Sequence, residues 1–191
     1  NIPDWYIQSC ERVQYLFPKA HAVAYVLMAY RIAYCKVHHP KHFYASYFTV
    51  RATDFDYTHV SKGSHYIKNF IKSVYQQGFR ASVQDKSIAT YLELANEMIE
   101  RGYEFEKVDL YKSHPTKFLI TEKGLRPPLA SLAGVGNNAA LSIAEARDVN
   151  NPFISREDLR QRAGIGKAVI ERLADVGVLD DLPESNQIDL F

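Results

Sequence analysis

The sequence predicts a mainly α-helical protein with a small β element, a repeated glycine hairpin and a flexible polar tail. Long stretches with apolar residues at helical spacing fill the first hundred positions, a short strand-like segment follows, and a Gly-hydrophobic-Gly pattern then occurs twice. A chain of 191 residues with 47% hydrophobic content can bury one sizeable core or two small ones. We divide it into a helical region (1–102), a β linker (103–129), a hairpin domain (130–182) and a tail (183–191).

The helical region begins with a segment whose apolar residues recur every three or four positions, at Ile7, Cys10, Val13 and Leu16. Pro18 marks a new start, and the following run from Ala20 to Val37 carries few charges, which predicts a helix buried on most sides. Residues 66–75 and 88–99 form two further amphipathic patterns, and Gly102 ends the second.

Composition excludes several classes of protein. The net charge of +1 requires any basic surface to be local. Cys10 and Cys35 lie on apolar helical stretches without metal-ligand spacing, so we expect buried thiols in a reducing, cytoplasmic compartment. There is no signal peptide and no apolar run of membrane-spanning length. Because Asn1 opens the chain without a methionine, we expect a part of a longer protein.

Residues 103–129 change in character. Tyr103–Val108 and Lys117–Thr121 show the alternation of short strands, and residues 122–124 read as a turn. Pro127 and Pro128 exclude a helix at this point. We therefore expect a small sheet between the two helical regions.

The hairpin domain contains two copies of one pattern, Leu132–Ile143 and Arg162–Leu173. In each copy a tight glycine turn opens into an amphipathic helix, so free N–H groups and the positive end of the helix dipole face outward together. This arrangement predicts phosphate binding. Small Ala140 favours a close helix crossing in the first copy, whereas Ile170 occupies that place in the second. The candidate contacts are Gly134, Val135, Gly136, Asn137 and Asn138 in the first copy, and Gly164, Ile165, Gly166 and Lys167 in the second.

A third pattern lies at the start of the apolar run. Lys19 stands at a helix N-terminus, where an anion is favoured, and His21 and Tyr25 are four residues apart on one face. A cation, an imidazole and a phenol ring among small alanines would suit a nucleoside triphosphate. The alternative interpretation is an ordinary amphipathic helix with an extended lysine side chain.

The tail ends in a short motif with two large apolar residues. A terminal segment buries too little to use such side chains itself, so they predict anchors for a pocket on a partner. The motif comprises Gln187, Ile188, Asp189, Leu190 and Phe191.

These features together resemble a known family. The glycine repeat resembles the paired helix-hairpin-helix motif, which binds duplex DNA through the DNA backbone and does not recognise base sequence. Residues 17–29, 31–34, 36–40 and 44–49 resemble the fingers of the alpha subunit of bacterial DNA polymerase III, specifically its PolC type. The order of fingers, small sheet, paired hairpins and tail also matches that family's C-terminal part.

The resemblance implies several partners: primer-template DNA, an incoming deoxynucleoside triphosphate, the beta sliding clamp and the remainder of the polymerase chain. It assigns nucleotide contacts to Lys19, His21 and Tyr25, and the clamp contact to the tail motif. It also implies nucleoid association in the cytoplasm.

The family's catalytic palm would precede Asn1, so we expect no catalytic residue and no bound cofactor in this chain. Nucleotidyl transfer needs carboxylates that hold two metal ions, and we expect Mg²⁺ in that absent palm. Asp54 and Asp56 read as the polar end of a helix rather than as metal ligands. One alternative function is a helix-hairpin-helix module of a repair factor, and another is a purely structural helical protein.

Overall fold

A computed structural model of the chain describes residues 2–13, 18–52 and 55–185. The fold is mostly helical with one small sheet, as the sequence predicts. The chain divides into two compact units, residues 1–40 and 41–191. The domain boundaries drawn from the sequence stay a prediction.

The first unit consists of α1 (Asp4–Arg12) and α2 (Lys19–His38), which begins after Pro18 as predicted. No residue of either helix is buried. The prediction that α2 is buried on most sides is therefore wrong for this chain, and so is the prediction of buried thiols, since Cys10 and Cys35 are both exposed. The physical reason is that burial needs packing partners, and apolar composition by itself supplies none.

The second unit opens with four helices: α3 (Pro40–Val50), α4 (Tyr57–Val60), α5 (Gly63–Gln77) and α6 (Val83–Glu100). Asp56 caps α4 by accepting a hydrogen bond from the Thr58 N–H at 2.9 Å, which agrees with its predicted place at a helix end. Gly102 has a φ of 85° just beyond α6, so this glycine ends the helix as predicted.

Helices α5 and α6 pack against each other along their apolar faces. An aromatic cluster then joins α3 to the sheet, with the Phe48 and Phe118 rings 5.5 Å apart and the Phe55 and Phe118 rings 4.9 Å apart. Burial raises the pKa of Tyr44 in α3 to about 12, with Glu97 of α6 adding to the effect.

The sheet has three strands, β1 (Glu104–Phe105), β2 (Leu119–Ile120) and β3 (Gly124–Arg126), in the order β1-β3-β2. Strand β3 pairs in parallel with β1 and antiparallel with β2. The sequence predicts the first two strands but assigns Gly124 to a turn. In the structure Gly124 opens β3 and pairs with Glu104, and the position needs glycine because a Cβ there would collide with the Glu104 backbone.

Three helices follow the sheet: α7 (Asn137–Ala146), α8 (Arg156–Ala163) and α9 (Lys167–Asp175). A short 3-10 turn, Leu129–Ser131, precedes α7. Buried side chains from these helices, among them Ile143, Leu159 and Leu173, belong to the same apolar core as α3 and α6. The helices that flank the hairpins therefore pack into the hydrophobic core of the second unit.

Candidate nucleic-acid interface

The first glycine hairpin runs from Leu132 to Gly136. Gly134 has a φ of 86°, a left-handed conformation that glycine adopts without strain. Val135 is buried at the turn and its N–H donates to the Leu132 carbonyl at 2.9 Å. The apolar residue between the two glycines therefore fixes the hairpin to the core, and Gly136 lies exposed at the N-cap of α7.

The second hairpin repeats this geometry between α8 and α9. Gly164 has a φ of 62° and Ile165 is buried, while Gly166 is the N-cap of α9. Ala140 and Ile170, which occupy matching places after the two hairpins, are both buried. The larger residue in the second copy thus still lies inside the core.

The helices that leave the hairpins have uncapped N-termini. Neither Gly136 nor Gly166 can offer a side-chain cap, whereas Ser82 and Ser155 cap α6 and α8 of the same unit with their hydroxyl oxygens. The first N–H groups of α7 and α9 are therefore left for an external acceptor. Such a site at the positive end of a helix suits an anion.

The two N-cap glycines are not required by the fold itself. Gly136 has φ −70° and ψ 162°, and Gly166 has φ −73° and ψ 157°, torsions that any residue adopts. A Cβ built at either position would meet nothing within 4 Å. The absence of a side chain at these positions leaves the backbone open to close approach from outside.

Three polar side chains beside the hairpins lie at the surface. Asn137 and Asn138 are exposed on the first turn of α7. The Lys167 side chain is 82% exposed and lies 3.5 Å from the Glu171 carboxylate, one turn along α9. An exposed pair of this kind is worth little and leaves the ammonium group available to a ligand.

An arginine that the sequence does not single out connects the two copies. The Arg172 Nε of α9 donates to the Ala133 carbonyl at 3.0 Å, and its Cγ lies 3.2 Å from where a Gly134 Cβ would be. Gly134 is thus needed both for its torsion and for the space that Arg172 occupies. No local pattern marks this arginine, because the contact joins residues 39 positions apart.

The turn before the hairpin domain depends on a neutral histidine. The Nδ1 atom of His114 accepts from the N–H groups of Thr116 and Lys117, each at 3.0 Å. Burial lowers the pKa of His114, and the nearby cations Lys117 and Arg147 lower it further. Neutral imidazole is the form that can accept these hydrogen bonds.

The predicted nucleotide face lies at the start of α2, in the first unit. Lys19 is the first residue of the helix, and the His21 and Tyr25 rings are 4.4 Å apart. The structure therefore brings the two rings together. Lys19 lies two positions from His21 and so points away from the ring pair around the helix axis.

The predicted clamp motif, Gln187 to Phe191, lies outside the described residues. The segment just before it is held on α8, where the N–H groups of Arg156 and Glu157 donate to the carbonyls of Pro183 and Glu184. The Arg156 side chain also donates to the Leu182 carbonyl at 3.1 Å.

Within residues 2–13, 18–52 and 55–185, no group of histidine, cysteine, aspartate or glutamate side chains is arranged to hold a metal ion. Over the same residues no helix has the length and apolar character needed to cross a membrane.

The fold and its paired hairpins define the class as a helix-hairpin-helix protein. In agreement, a family model described as "Helix-hairpin-helix motif" matches residues 102–188. More narrowly, the chain is similar over its whole length to PolC-type DNA polymerase III proteins, which confirms the resemblance seen in the sequence.

The similarity covers all 191 residues of the chain. It is 56% identical to the protein named DNA polymerase III PolC-type from Halalkalibacterium halodurans, 55% to that from Clostridium perfringens and 52% to that from Bacillus subtilis. The chain spans about 13% of the length of these curated relatives.

Proposed function

We propose that this chain is part of a replicative DNA-directed DNA polymerase, in which its two glycine hairpins bind the duplex through the phosphate backbone. The main support for this proposal is that α7 and α9 each begin at an exposed glycine without a side-chain cap, with open space where a side chain would stand. The names of the similar proteins support the polymerase assignment. The reaction itself is assigned to residues outside this chain.

In this proposal a phosphate oxygen accepts hydrogen bonds from the backbone N–H groups at the start of each helix. The helix dipole favours the negative charge, and the missing Cβ lets the sugar-phosphate chain come close. Asn137 and Asn138 add neutral donors and Lys167 adds a charged one. Contacts of this kind position the duplex and carry no sequence information.

The charge distribution indicates that dipoles contribute more than net charge. Residues 130–185 contain six arginines and lysines against nine aspartates and glutamates. Four of those six cations, Arg147, Arg156, Arg162 and Arg172, donate to backbone carbonyls inside the unit. We therefore expect weak duplex binding by this region, with few phosphates neutralised and a shallow salt dependence.

The test compares alanine substitutions at two glycines of the second hairpin, Gly166 at an ordinary torsion and Gly164 at a left-handed one. Gly166→Ala adds a methyl group at a permitted torsion in open space, so folding stability should stay within about 0.5 kcal/mol. Affinity for a 30-base-pair duplex should fall about tenfold, because hydrogen bonds to charged groups contribute roughly 1.5–3 kcal/mol. Fluorescence anisotropy measures the affinity and urea unfolding measures the stability.

Gly164→Ala is the control for a loss of folding stability. Its left-handed torsion makes alanine cost roughly 1–2 kcal/mol of stability, although nothing lies within 4 Å of the new methyl group. Unchanged duplex affinity in Gly136→Ala and Gly166→Ala, at unchanged stability, would contradict the phosphate-binding proposal.

The start of α2 is proposed to contact the incoming nucleotide. The 4.4 Å ring pair of His21 and Tyr25 is exposed, and Lys19 begins the helix. The tilted ring pair suits a sugar or base, and Lys19, on the other side of the helix axis, suits the phosphates together with the helix N-terminus.

The tail motif is proposed to bind the beta sliding clamp, with Leu190 and Phe191 as apolar anchors and Gln187 as a polar contact. The hydrogen bonds from α8 to Pro183 and Glu184 fix the point from which this tail departs. A cytoplasmic, nucleoid-associated location follows from the same proposal.

A further inference from the structure

The loop between α5 and α6 carries an aromatic side chain with no packing role. Phe79 is fully exposed, although burying a phenylalanine normally gains roughly 1.5–3 kcal/mol. Tyr75, one turn earlier, is also largely exposed. Two exposed rings at one end of a helical hairpin point to an external partner.

The turn that presents Phe79 is fixed from the inside. Val74, Ala81 and Ala89 form a small buried cluster beneath it, and the Ala81 N–H donates to the Gly78 carbonyl at 3.4 Å. The Tyr75 hydroxyl donates to the Glu93 carboxylate of α6. The backbone on both sides of Phe79 is therefore anchored while its ring faces solvent.

The segment that carries these rings is basic, and the Glu93 carboxylate of α6 is the acid that contacts Tyr75. Residues 61–80 include four lysines and arginines and no aspartate or glutamate. Lys68 is paired with Glu100 at 2.7 Å, but Lys72 and Arg80 have no ion pair with any described residue. Asp85, the nearest acid beyond the loop, is hydrogen-bonded to Ser82 at the N-terminus of α6.

We propose that Phe79 and Tyr75, together with Lys72 and Arg80, form a binding surface for single-stranded DNA. Aromatic rings between cations are the arrangement that binds single strands, since bases stack on the rings and the cations follow the phosphates. The occupant is a polyanion with stackable faces rather than an apolar protein segment, because the unpaired cations Lys72 and Arg80 beside the rings complement the first and not the second. This surface goes beyond the proposed duplex contact of the hairpins, which lies on other elements.

The test uses the full-length polymerase and two primer-templates that differ only in a 12-nucleotide 5′ template overhang. Phe79→Ala should weaken binding of the overhang substrate about fivefold or more, because stacking contributes roughly 1–3 kcal/mol per base. Binding of the substrate without an overhang should stay unchanged. Phe79→Trp should retain the affinity, while Phe79→Leu should lose it, since leucine keeps apolar surface but cannot stack.

Lys72→Gln and Arg80→Gln should each lower the slope of log affinity against log salt by about 0.7, the value expected for one phosphate of a single strand. Lys123→Gln, an exposed cation on the turn before β3, is the charge control and should change nothing. Thermal unfolding of Phe79→Ala should match the parent, since the ring is fully exposed. The proposal is overturned if Phe79→Leu binds like the parent, which indicates an apolar protein partner, or if both substrates lose affinity equally.

Discussion

Arg162 illustrates how single residues organise the hairpin domain. Its guanidinium donates to the carbonyls of Ala146 and Asn151, each at 3.0 Å, and lies 4.5 Å above the Phe153 ring. It also pairs with Asp158 at 3.3 Å. One planar group with several donors thus fixes the loop that joins the two hairpin copies, so this arginine contributes to shape rather than to a basic surface.

Arg162→Lys should therefore destabilise the domain by about 1–3 kcal/mol, because an ammonium group cannot reproduce this set of hydrogen bonds and the ring contact. Urea unfolding measures the change. Arg160→Lys, two positions earlier and exposed on α8, is the matched control and should stay within about 0.5 kcal/mol. Equal stability of the two variants would contradict the structural role given to Arg162.

At the scale of elements, α2 differs from the other long helices. Helices α5 and α6 bury Ile67, Val74 and Leu92 against the core, whereas α2 buries no residue along its 20 positions. A helix with this composition and no burial has surface to offer to ligands and partners. Its first two turns carry the ring pair of His21 and Tyr25 together with Lys19.

Lys19→Ala and Tyr25→Ala should raise the KM for deoxynucleotides of the complete polymerase, Lys19→Ala by about tenfold, since a charge-assisted phosphate contact is worth roughly 1.5–3 kcal/mol. Both side chains are exposed, so neither change should lower the thermal stability. Arg31→Ala, about three turns further along α2, is the control. Steady-state kinetics with unchanged KM in both variants would remove the nucleotide assignment.

At the scale of the whole molecule, the structural predictions that proved correct depend on residues close together in the sequence. A glycine at positive φ and a glycine at an N-cap depend on a few neighbouring residues, which is why both hairpins and the end of α6 could be predicted. The exposure of Cys35 could not be predicted in this way, because burial depends on packing against residues distant in sequence. The same holds for β3, whose parallel pairing with β1 joins positions 20 apart, and for Arg172, which reaches back to Ala133.

The last prediction concerns the tail, both its maximal length and its affinity for the sliding clamp. Arg156 and the first turn of α8 hold the chain as far as Glu184, so the six residues after Ser185 span at most about 21 Å when fully extended. Leu190→Ala with Phe191→Ala should weaken binding to the sliding clamp about 100-fold or more, since each side chain contributes roughly 1.5–3 kcal/mol when buried. Primer extension on short templates should be unaffected, and Asp189→Asn should leave clamp affinity nearly unchanged.

Surface plasmon resonance with immobilised clamp measures the affinity. If the double variant binds like the parent, the principal clamp contact lies elsewhere in the polymerase.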